Sequence, residues 1–378
     1  AELRRKNILH IGDALPTRVK INETALGLEP ILQAAIEARE RLRRIPATLG
    51  KASGVGFALA MQSMGLGAKV PDVSDHRLEW LPDGRVLIHL GAPDLGQGLI
   101  TIAEQITAEA LGLPFDQVIT APFDTHDAPN GGVTCASRMT YLVGNAMLAG
   151  ADTLQKQLLV NAAELLKTPS DRLKYMAGNV ILPDGKRYPA SEFASRAAER
   201  GGPIQAMASA TFPYPESTTP QHLPAGMPHV KYVFAAQVAR VEVDPGLGTV
   251  VVKDMVAIHD LGKVINRTTA EGQIEGGVSM GIGYALYEGM SLKANGQWVD
   301  SFTEYLLPTS QDMPPSLEIQ MLEYPEKDGP FGAKGLAEIT VVPTAPAIAN
   351  AVYDAVKVRV KDLPITPEKL LAGLRQNA

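Results

Sequence analysis

The residues best suited to catalysis lie in a glycine-rich loop near the carboxyl end of the chain. Residues 329–338 read GPFGAKGLAE, so three glycines and a proline lead to the carboxylate of Glu338. Glycines at this density let a backbone approach a bound group closely and leave its N–H donors accessible. A buried carboxylate at the edge of such a loop can be held next to a cofactor. The alternative is a surface turn that closes a hairpin, with Glu338 solvated.

A second glycine-rich turn, residues 96–98, enters a helix that the apolar spacing predicts from about residue 99 to residue 111. Gln97 offers both a hydrogen-bond donor and an acceptor beside the free N–H groups of the first helical turn. Such an arrangement suits a polar or anionic ligand. The alternative is a turn residue that bonds its own backbone.

Residues 130–137 read NGGVTCAS and precede a long helix predicted from about residue 139 to residue 166. Small side chains with hydroxyl groups ahead of a helix allow backbone and Ser/Thr donors to reach a phosphate or a ring edge. Cys135, taken alone, is expected to be a small buried hydrophobe.

Residues 266–277 read NRTTAEGQIEGG and come after two strands predicted at 232–243 and 249–258. The sequence predicts no βαβ unit around these glycines, so a dinucleotide-binding fold of the Rossmann type is not supported. A helix with this many glycines is instead expected to pack tightly on a neighbouring element or on a cofactor. Residues 344–356 predict a further helix with an apolar inner face.

Length and composition indicate what kind of protein this chain is. The 378 residues suggest about two or three domains or subdomains. A hydrophobic content of 45% with 20% charged residues is typical of a folded chain with a sizeable core. The net charge is −6 and basic residues cluster at only two places, which excludes nucleic acid as a favoured partner. No apolar stretch approaches the roughly 18 residues of a membrane span.

The chain has one cysteine, Cys135, which rules out an internal disulfide. It also rules out a self-contained iron–sulfur cluster of the usual kind, since that needs four thiolates. The seven histidines show no zinc-like spacing, so any metal is expected to be held by something other than these side chains. Because residues 1–3 lack an initiator methionine and a signal peptide, we expect a processed or split chain located in the cytoplasm.

Five separated motifs occur in a fixed order along the chain. In sequence they are GQGL at 96–99, the stretch from 124 to 146 with ASR at 136–138, the stretch 266–276, GAKGLAE at 332–338, and the closing run from 350 to 369. Together they resemble the molybdenum hydroxylases, the xanthine dehydrogenase and aldehyde oxidoreductase family. The resemblance covers roughly residues 50–375 and corresponds to the C-terminal half of that family's molybdopterin-binding subunit.

The resemblance implies an α+β fold of mixed sheets and packed helices, arranged as an elongated two-subdomain molybdopterin-binding domain. Residues 1–50 would be the tail of the preceding molybdenum-binding domain and a connector. Residues 51–225 would form one molybdopterin-binding subdomain. Residues 226–378 would form another, which carries the catalytic glutamate loop.

The resemblance also implies roles for individual residues. Glu338 matches the catalytic carboxylate, which acts as a general base. The residues implied to bind the cofactor are Gln97, Gly98, Cys135, Ala136, Ser137, Arg138, Asn266, Arg267, Gln273, Gly335, Leu336 and Ala337. Those implied to line the substrate channel are Met61, Gln62 and Met64. The family usually has glycine immediately before the glutamate, so Ala337 predicts a slightly different loop position.

The implied cofactor is molybdenum with molybdopterin in its cytosine dinucleotide form, the metal being held by the pterin dithiolene and by no protein side chain. The resemblance does not extend to the N-terminal half of the family subunit, which we expect another chain to supply. The implied partners are therefore a second molybdopterin-binding chain, an iron–sulfur subunit with 2Fe–2S clusters, and an FAD subunit.

Three functions remain open: a hydroxylase of an N-heterocycle such as a purine or nicotinate, an aldehyde oxidoreductase, and a non-catalytic assembly or scaffold subunit. The presence of both Gln97 and Glu338 speaks against the scaffold, because a scaffold needs neither residue.

Overall fold

The computed structural model describes residues 1–68, 70–214 and 228–377. The chain divides into two compact units, and each unit combines separate stretches of sequence. Unit 1 consists of Ala1–Ser63, Lys231–Tyr324 and Leu336–Ala378. Unit 2 consists of Met64–Val230 and Pro325–Gly335.

The two units differ from the contiguous ranges that the sequence suggests. The chain crosses from unit 2 to unit 1 between residues 230 and 231, close to the predicted boundary at 225. Residue 225 itself lies outside the described residues. The first 63 residues, however, belong to the same unit as residues 231–324. The assignment of cofactor-binding subdomains to residues 51–225 and 226–378 stays a prediction.

The described residues form eight α-helices and eleven strands. The helices are Glu2–Lys6 (α1), Leu28–Leu42 (α2), Leu99–Leu111 (α3), Met139–Leu166 (α4), Ala190–Arg200 (α5), Arg267–Leu286 (α6), Thr344–Val356 (α7) and Pro367–Asn377 (α8). The strands are Ala52–Ser63 (β1), Val73–Trp80 (β2), Val86–His89 (β3), Val118–Thr120 (β4), Lys174–Met176 (β5), Asn179–Ile181 (β6), Arg187–Pro189 (β7), Ile204–Thr211 (β8), Tyr232–Val243 (β9), Val250–Asp260 (β10) and Ser316–Leu322 (β11). Helices with mixed sheets confirm the predicted α+β class.

The sheet of unit 1 has the strand order β1-β9-β10-β11. Both β1 and β10 run antiparallel to β9, whereas β11 is parallel to β10. Helix α2 covers one face through an apolar core that includes Ile31 and Phe234. Helices α6 and α7 cover the other face, where Val241, Ile274 and Ile348 are fully buried. Unit 1 is therefore a sheet between two helical layers.

The glycine-rich helix α6 corrects one expectation from sequence. It follows strand β10 and leads to β11, which pairs with β10 in parallel, so these three elements do form a parallel crossover. The missed signal was β11, whose residues 316–322 read SLEIQML and so alternate polar and apolar side chains as a strand does. The four-stranded mixed sheet is still not a doubly wound dinucleotide-binding sheet.

Unit 2 contains a second four-stranded sheet, in the order β4-β3-β2-β8, and a three-stranded meander of β5, β6 and β7. The long helix α4 packs on β2 and β8, and an added Cβ at Gly150 would lie 2.6 Å from the Cβ of Ala208. The segment Pro325–Gly335 is tied to the same helix, because Asn145 donates to the carbonyl of Asp328 at 2.9 Å. Helix α4 therefore fixes the first part of the glycine-rich loop.

The stretch Glu338–Val356, which contains α7, has the length and hydropathy of a membrane span, by composition alone. Its helix packs directly on β1, because an added Cβ at Gly54 or Gly56 would come within 2.2 Å of the backbone of Ala351. Ile348 of the same helix lies in the core of unit 1. The stretch is accordingly a core helix.

His259 on β10 is a buried, neutral side chain. It is 1% exposed, and neither ring nitrogen has a hydrogen-bond partner within the described parts of the chain. Burial lowers the pKa of His259 from its ordinary value of 6.5 to about 3. Protonation therefore favours the unfolded chain, and stability falls as the pH drops below about 6.5 toward 3.

We expect His259→Leu to flatten this acid dependence. Between pH 7 and pH 5 the wild-type chain should lose about 2 kcal/mol of unfolding free energy through His259 alone. Urea denaturation at both pH values should show a correspondingly smaller loss in the variant. An equal loss in both proteins would mean that His259 does not titrate on unfolding.

Candidate active site

Glu338 begins a single 3₁₀ turn, Glu338–Thr340, at the entrance to α7 in unit 1. Its Oε2 accepts a hydrogen bond from Nε2 of Gln62 on β1 at 3.2 Å. The side chain is exposed, so the expected burial of the carboxylate is wrong for this chain by itself. The turn leads into a helix and closes no hairpin, so the alternative interpretation is wrong about the hairpin but right that Glu338 is solvated in this chain.

The backbone before the glutamate accommodates alanine. Ala337 has a φ of −156°, outside the left-handed region that favours glycine, so its φ does not require glycine. Leu336 is half-buried and packs against the apolar core of α6 and α7. Both residues therefore anchor the Glu338 turn in unit 1.

The three residues implied to line the substrate channel do not share one location. Gln62 contacts Glu338, but Met61 precedes it on β1 and so faces the opposite side of the sheet. There Met61 lines a cavity of about 420 Å³ with Leu28 and Phe234. Met64 is 0% exposed in unit 2, and its sulfur accepts the N–H of Gly335 at 3.0 Å. Within unit 1, the structure thus supports Gln62 as a neighbour of Glu338.

The start of α6, also in unit 1, carries three residues implied to bind the cofactor. Asn266 is the N-cap, and its Oδ1 accepts the N–H of Thr269 at 3.0 Å. The exposed Arg267 donates to Glu271 at 2.9 Å, and Gln273, almost two turns after Arg267, is half-buried. An added Cβ at Gly272 or Gly276 would meet nothing within 4 Å, so this side of α6 admits close approach of another group.

In unit 2, Gln97 bonds its own turn, as the simpler interpretation held. Its Oε1 accepts the N–H of Leu95 at 2.5 Å, and its Nε2 donates to the carbonyl of Pro93 at 3.4 Å. Gly98 follows as the N-cap of α3 with a φ of 81°.

The N–H groups expected to be free beside Gln97 are already engaged. The carboxylate of Asp94 accepts those of Gly96, Gly98 and Ile100 at 2.8, 3.3 and 3.1 Å. Asp94 was not predicted from the sequence, although an Asp two residues before a glycine is a known turn and capping signal.

Residues 135–137 form a loop with an unusual backbone, and its last residue, Ser137, is buried. Cys135 is exposed, so its expected burial is wrong. Ala136 and Ser137 have φ values of 56° and 48°, a left-handed conformation that is costly for residues with a Cβ. Strained backbone of this kind persists where surrounding contacts determine it, and it clusters at functional sites.

Two contacts within unit 2 hold that loop. The carbonyl of Ala136 accepts the N–H of Gly65 at 3.1 Å. The carbonyl of Ser137 lies against Gly335, where an added Cβ would be only 1.8 Å from the oxygen. Gly335 is therefore required by packing on the strained loop. Its amide, bonded to Met64, is directed into unit 2.

Arg138 supports the loop from inside unit 2. Its guanidinium pairs with Asp72 at 2.7 Å, and both side chains are 1% exposed. It also donates to the carbonyls of Gly131 and Val133 at 3.1 and 2.8 Å. Removing one partner of a buried ion pair is strongly destabilising, so this arginine has a structural role whether or not it also contacts a cofactor.

Within the described ranges, no group of three or more His, Cys, Asp or Glu side chains could hold a metal ion. What the units do offer is a loop of small residues in unit 2, where Cys135 is exposed, and an open glycine face on α6 in unit 1. Close approach to backbone suits a flat, polar organic group that brings its own metal ligands. The side chains therefore fit a pterin-bound metal better than a metal ion bound directly by protein.

Comparison with known proteins agrees with this geometry. A family model described as molybdopterin cofactor-binding domain matches residues 31–314. The xanthine dehydrogenase molybdenum-binding subunit of Escherichia coli O157:H7 is 30% identical, and the alignment covers 99% of this chain and 50% of that protein. The chain thus spans about half the length of this curated relative.

Two solved structures share the fold. Quinoline 2-oxidoreductase from Pseudomonas putida 86 superposes with a TM-score of 0.78 at 25% identity, covering 99% of this chain and 49% of that chain. Aldehyde oxidoreductase from Desulfovibrio gigas superposes with a TM-score of 0.78 at 29% identity, covering 99% of this chain and 38% of that chain. Both cover both units of this chain and extend well beyond it.

Proposed function

Since the chain belongs to the molybdopterin cofactor-binding domain family, we propose that it is half of the cofactor-binding subunit of a molybdenum hydroxylase. The enzyme would hydroxylate an electron-poor carbon of an N-heterocycle of the purine or nicotinate type, with water as the oxygen source. The observation that carries this proposal is the Glu338 carboxylate, held by Gln62 on a turn anchored in the core of unit 1. The expected compartment is the cytoplasm.

In this mechanism Glu338 takes up a proton as oxygen is added to the carbon, and Gln62 fixes its Oε2. When bound, the molybdenum cofactor, in the proposed cytosine dinucleotide form, supplies the redox chemistry. The loop at 135–137 and the Gln97 turn would hold the pterin from unit 2. The exposure of Glu338 in this chain means that a partner chain must exclude water from it.

An N-heterocyclic substrate is favoured because two relatives are named for such substrates, xanthine and quinoline. An aldehyde substrate is the second candidate, supported by the 29% identity to an aldehyde oxidoreductase. The residues near Glu338 do not separate the two, because Gln62 can serve either. Parallel kcat/KM measurements on a purine, nicotinate and an aromatic aldehyde decide between them.

A partner chain is supported by an exposed apolar surface of unit 1, here termed the α6 surface. Its members are Met280, Tyr284, Met290, Leu292, Trp298, Phe302, Leu306 and Leu307. These eight large exposed side chains lie within 28 residues of sequence, and exposed apolar side chains that cluster mark interaction sites. The relatives are about twice as long as this chain, so we assign this surface to a second molybdopterin-binding chain.

The electron carriers belong to further partners. A four-thiolate iron–sulfur cluster cannot be built from the single Cys135, and the chain carries no dinucleotide-binding fingerprint. We therefore place the 2Fe–2S clusters and the FAD on separate subunits that receive the electrons.

We expect the natively purified complex to contain molybdenum in equal amount to this chain, together with iron and a second large chain. Elemental analysis and mass spectrometry of every co-purifying chain measure this. Met280→Glu should lower the yield of the second chain, because a charge on the α6 surface opposes burial. Leu247→Glu, at an equally exposed position in the β9–β10 turn, should not.

A stable, metal-free single chain from native purification would contradict the enzyme proposal. The cofactor-binding residues would then be vestigial, and the scaffold function would replace the catalytic one. A second chain that stays bound to Met280→Glu at the wild-type yield would show that the α6 surface is not the interface.

A further inference from the structure

A single glutamine lies in the most buried strand of unit 1. Gln237 is 0% exposed in the middle of β9, and all twelve residues of that strand are buried. Its neighbours along the strand, Ala236 and Val238, are apolar. Burying a primary amide is costly unless its donor and acceptor are both engaged, so its partners matter.

Both ends of the Gln237 amide bond to the segment that carries Glu338. Nε2 donates to the carbonyl of Thr340 at 2.7 Å, and Oε1 accepts from the hydroxyl of Thr344 at 2.6 Å. A reversed amide would place two acceptors, its oxygen and the Thr340 carbonyl, against each other, so the two bonds fix its orientation.

The hydrogen-bond network from Gln237 also reaches the residue before Glu338. The Thr340 hydroxyl donates to the carbonyl of Ala337 at 2.6 Å, and the Thr340 N–H donates to the same carbonyl at 3.1 Å. The backbone is therefore fixed just before Glu338 at Ala337 and just after it at Thr340. Both fixed points trace back to Gln237 on the central strand.

Helix α6 closes the same turn from outside. An added Cβ at Gly277 would lie 2.0 Å from the Thr340 hydroxyl oxygen, and one at Gly281 would lie 2.3 Å from the Thr344 Cβ. The two threonines thus have no room to move away from the amide. Because the Gln237 amide and both threonines are held on every side, the amide fixes the backbone position of the turn.

We propose that Gln237 is a positioning residue for Glu338: its buried amide sets the backbone of the catalytic turn, and through it the direction of the carboxylate. This inference rests on the proposed function, because it assigns Glu338 the general-base role. Gln237 touches neither substrate nor cofactor. Its effect is transmitted through Thr340 and Ala337.

The test is the double variant Gln237→Leu/Thr344→Val in the natively assembled complex. Leucine removes the amide, and valine removes the hydroxyl that would otherwise be left buried without its acceptor. We expect kcat to fall about 10- to 100-fold at nearly constant KM, since misplacing a reacting group affects the transition state more than binding. Molybdenum content should match the wild type.

A second measurement does not depend on activity. Hydrogen exchange of residues 338–344 should become at least 10-fold faster in the double variant, because the Thr340, Val341 and Thr344 amides lie in the released turn. The matched control is Gln205→Leu, which removes a glutamine of β8 bonded to Glu79 at 2.8 Å. It should leave both kcat and this exchange at their wild-type values.

Wild-type exchange of residues 338–344 in the double variant overturns the positioning role at once, whatever the activity. Wild-type kcat in the double variant, alongside an inactive Glu338→Gln, also overturns it while leaving the proposed function intact. Full activity of Glu338→Gln overturns the general-base role and the inference that rests on it. A loss of kcat that Gln205→Leu reproduces assigns the effect to general destabilisation.

Discussion

Glu338→Gln lowers kcat of the assembled complex by about 10²- to 10⁴-fold, the range typical of removing a general base. The amide keeps the size of the side chain and can still accept the hydrogen bond from Gln62 through its carbonyl oxygen. Folding and cofactor content should therefore stay at the wild-type level. Steady-state and single-turnover rates on the same substrate measure the loss.

The control is Glu40→Gln, which neutralises another carboxylate of unit 1, with a side chain 53% exposed on α2. It should retain the full rate. If Glu338→Gln also retained the full rate with molybdenum present, the carboxylate would not be the base. A rate loss accompanied by loss of molybdenum would indicate a role in assembly and contradict a purely catalytic one.

The secondary structure that positions these residues was largely predictable. Helices α3 and α4 and strand β9 begin and end at the residues that the sequence indicates. Their signals are local: apolar spacing fixes the type of element, and glycine or proline turns fix its ends. The pairing of β1 with β9 was not predictable, because the whole of unit 2 except its last segment separates them in sequence.

The candidate site was predictable in residue identity but less so in environment. Cys135 and Glu338 are both exposed, each against expectation. Exposure depends on which distant segments meet, which a single sequence does not state. The buried pair of Arg138 with Asp72 illustrates this, because 66 positions separate its members.

Gln237 shows which signal could have been used. A lone amide in the apolar run of a central strand conflicts with the local pattern, and such conflicts concentrate at functional or strained positions. Its partners Thr340 and Thr344 are more than 100 residues away, so the sequence marks the position without identifying its role.

Gly277→Ala should be the most destabilising small substitution in the segment that faces the catalytic turn. The new methyl group would lie 2.0 Å from the Thr340 hydroxyl oxygen and 2.8 Å from the Thr340 backbone carbon. Because backbone cannot yield as a flexible side-chain end does, we expect the unfolding free energy to fall by about 3 kcal/mol, the upper part of the range for overpacking. Urea denaturation of the chain measures it.

Gly276→Ala is the matched control, because the neighbouring glycine of α6 would meet nothing within 4 Å. Both substitutions gain the same helix propensity, roughly 0.5–1 kcal/mol, so the difference between the two variants isolates the contact with Thr340. If the two variants were equally stable, α6 would not confine the turn. If only Gly277→Ala lost stability, close packing of α6 on the turn that carries Glu338 would explain why glycine occupies position 277.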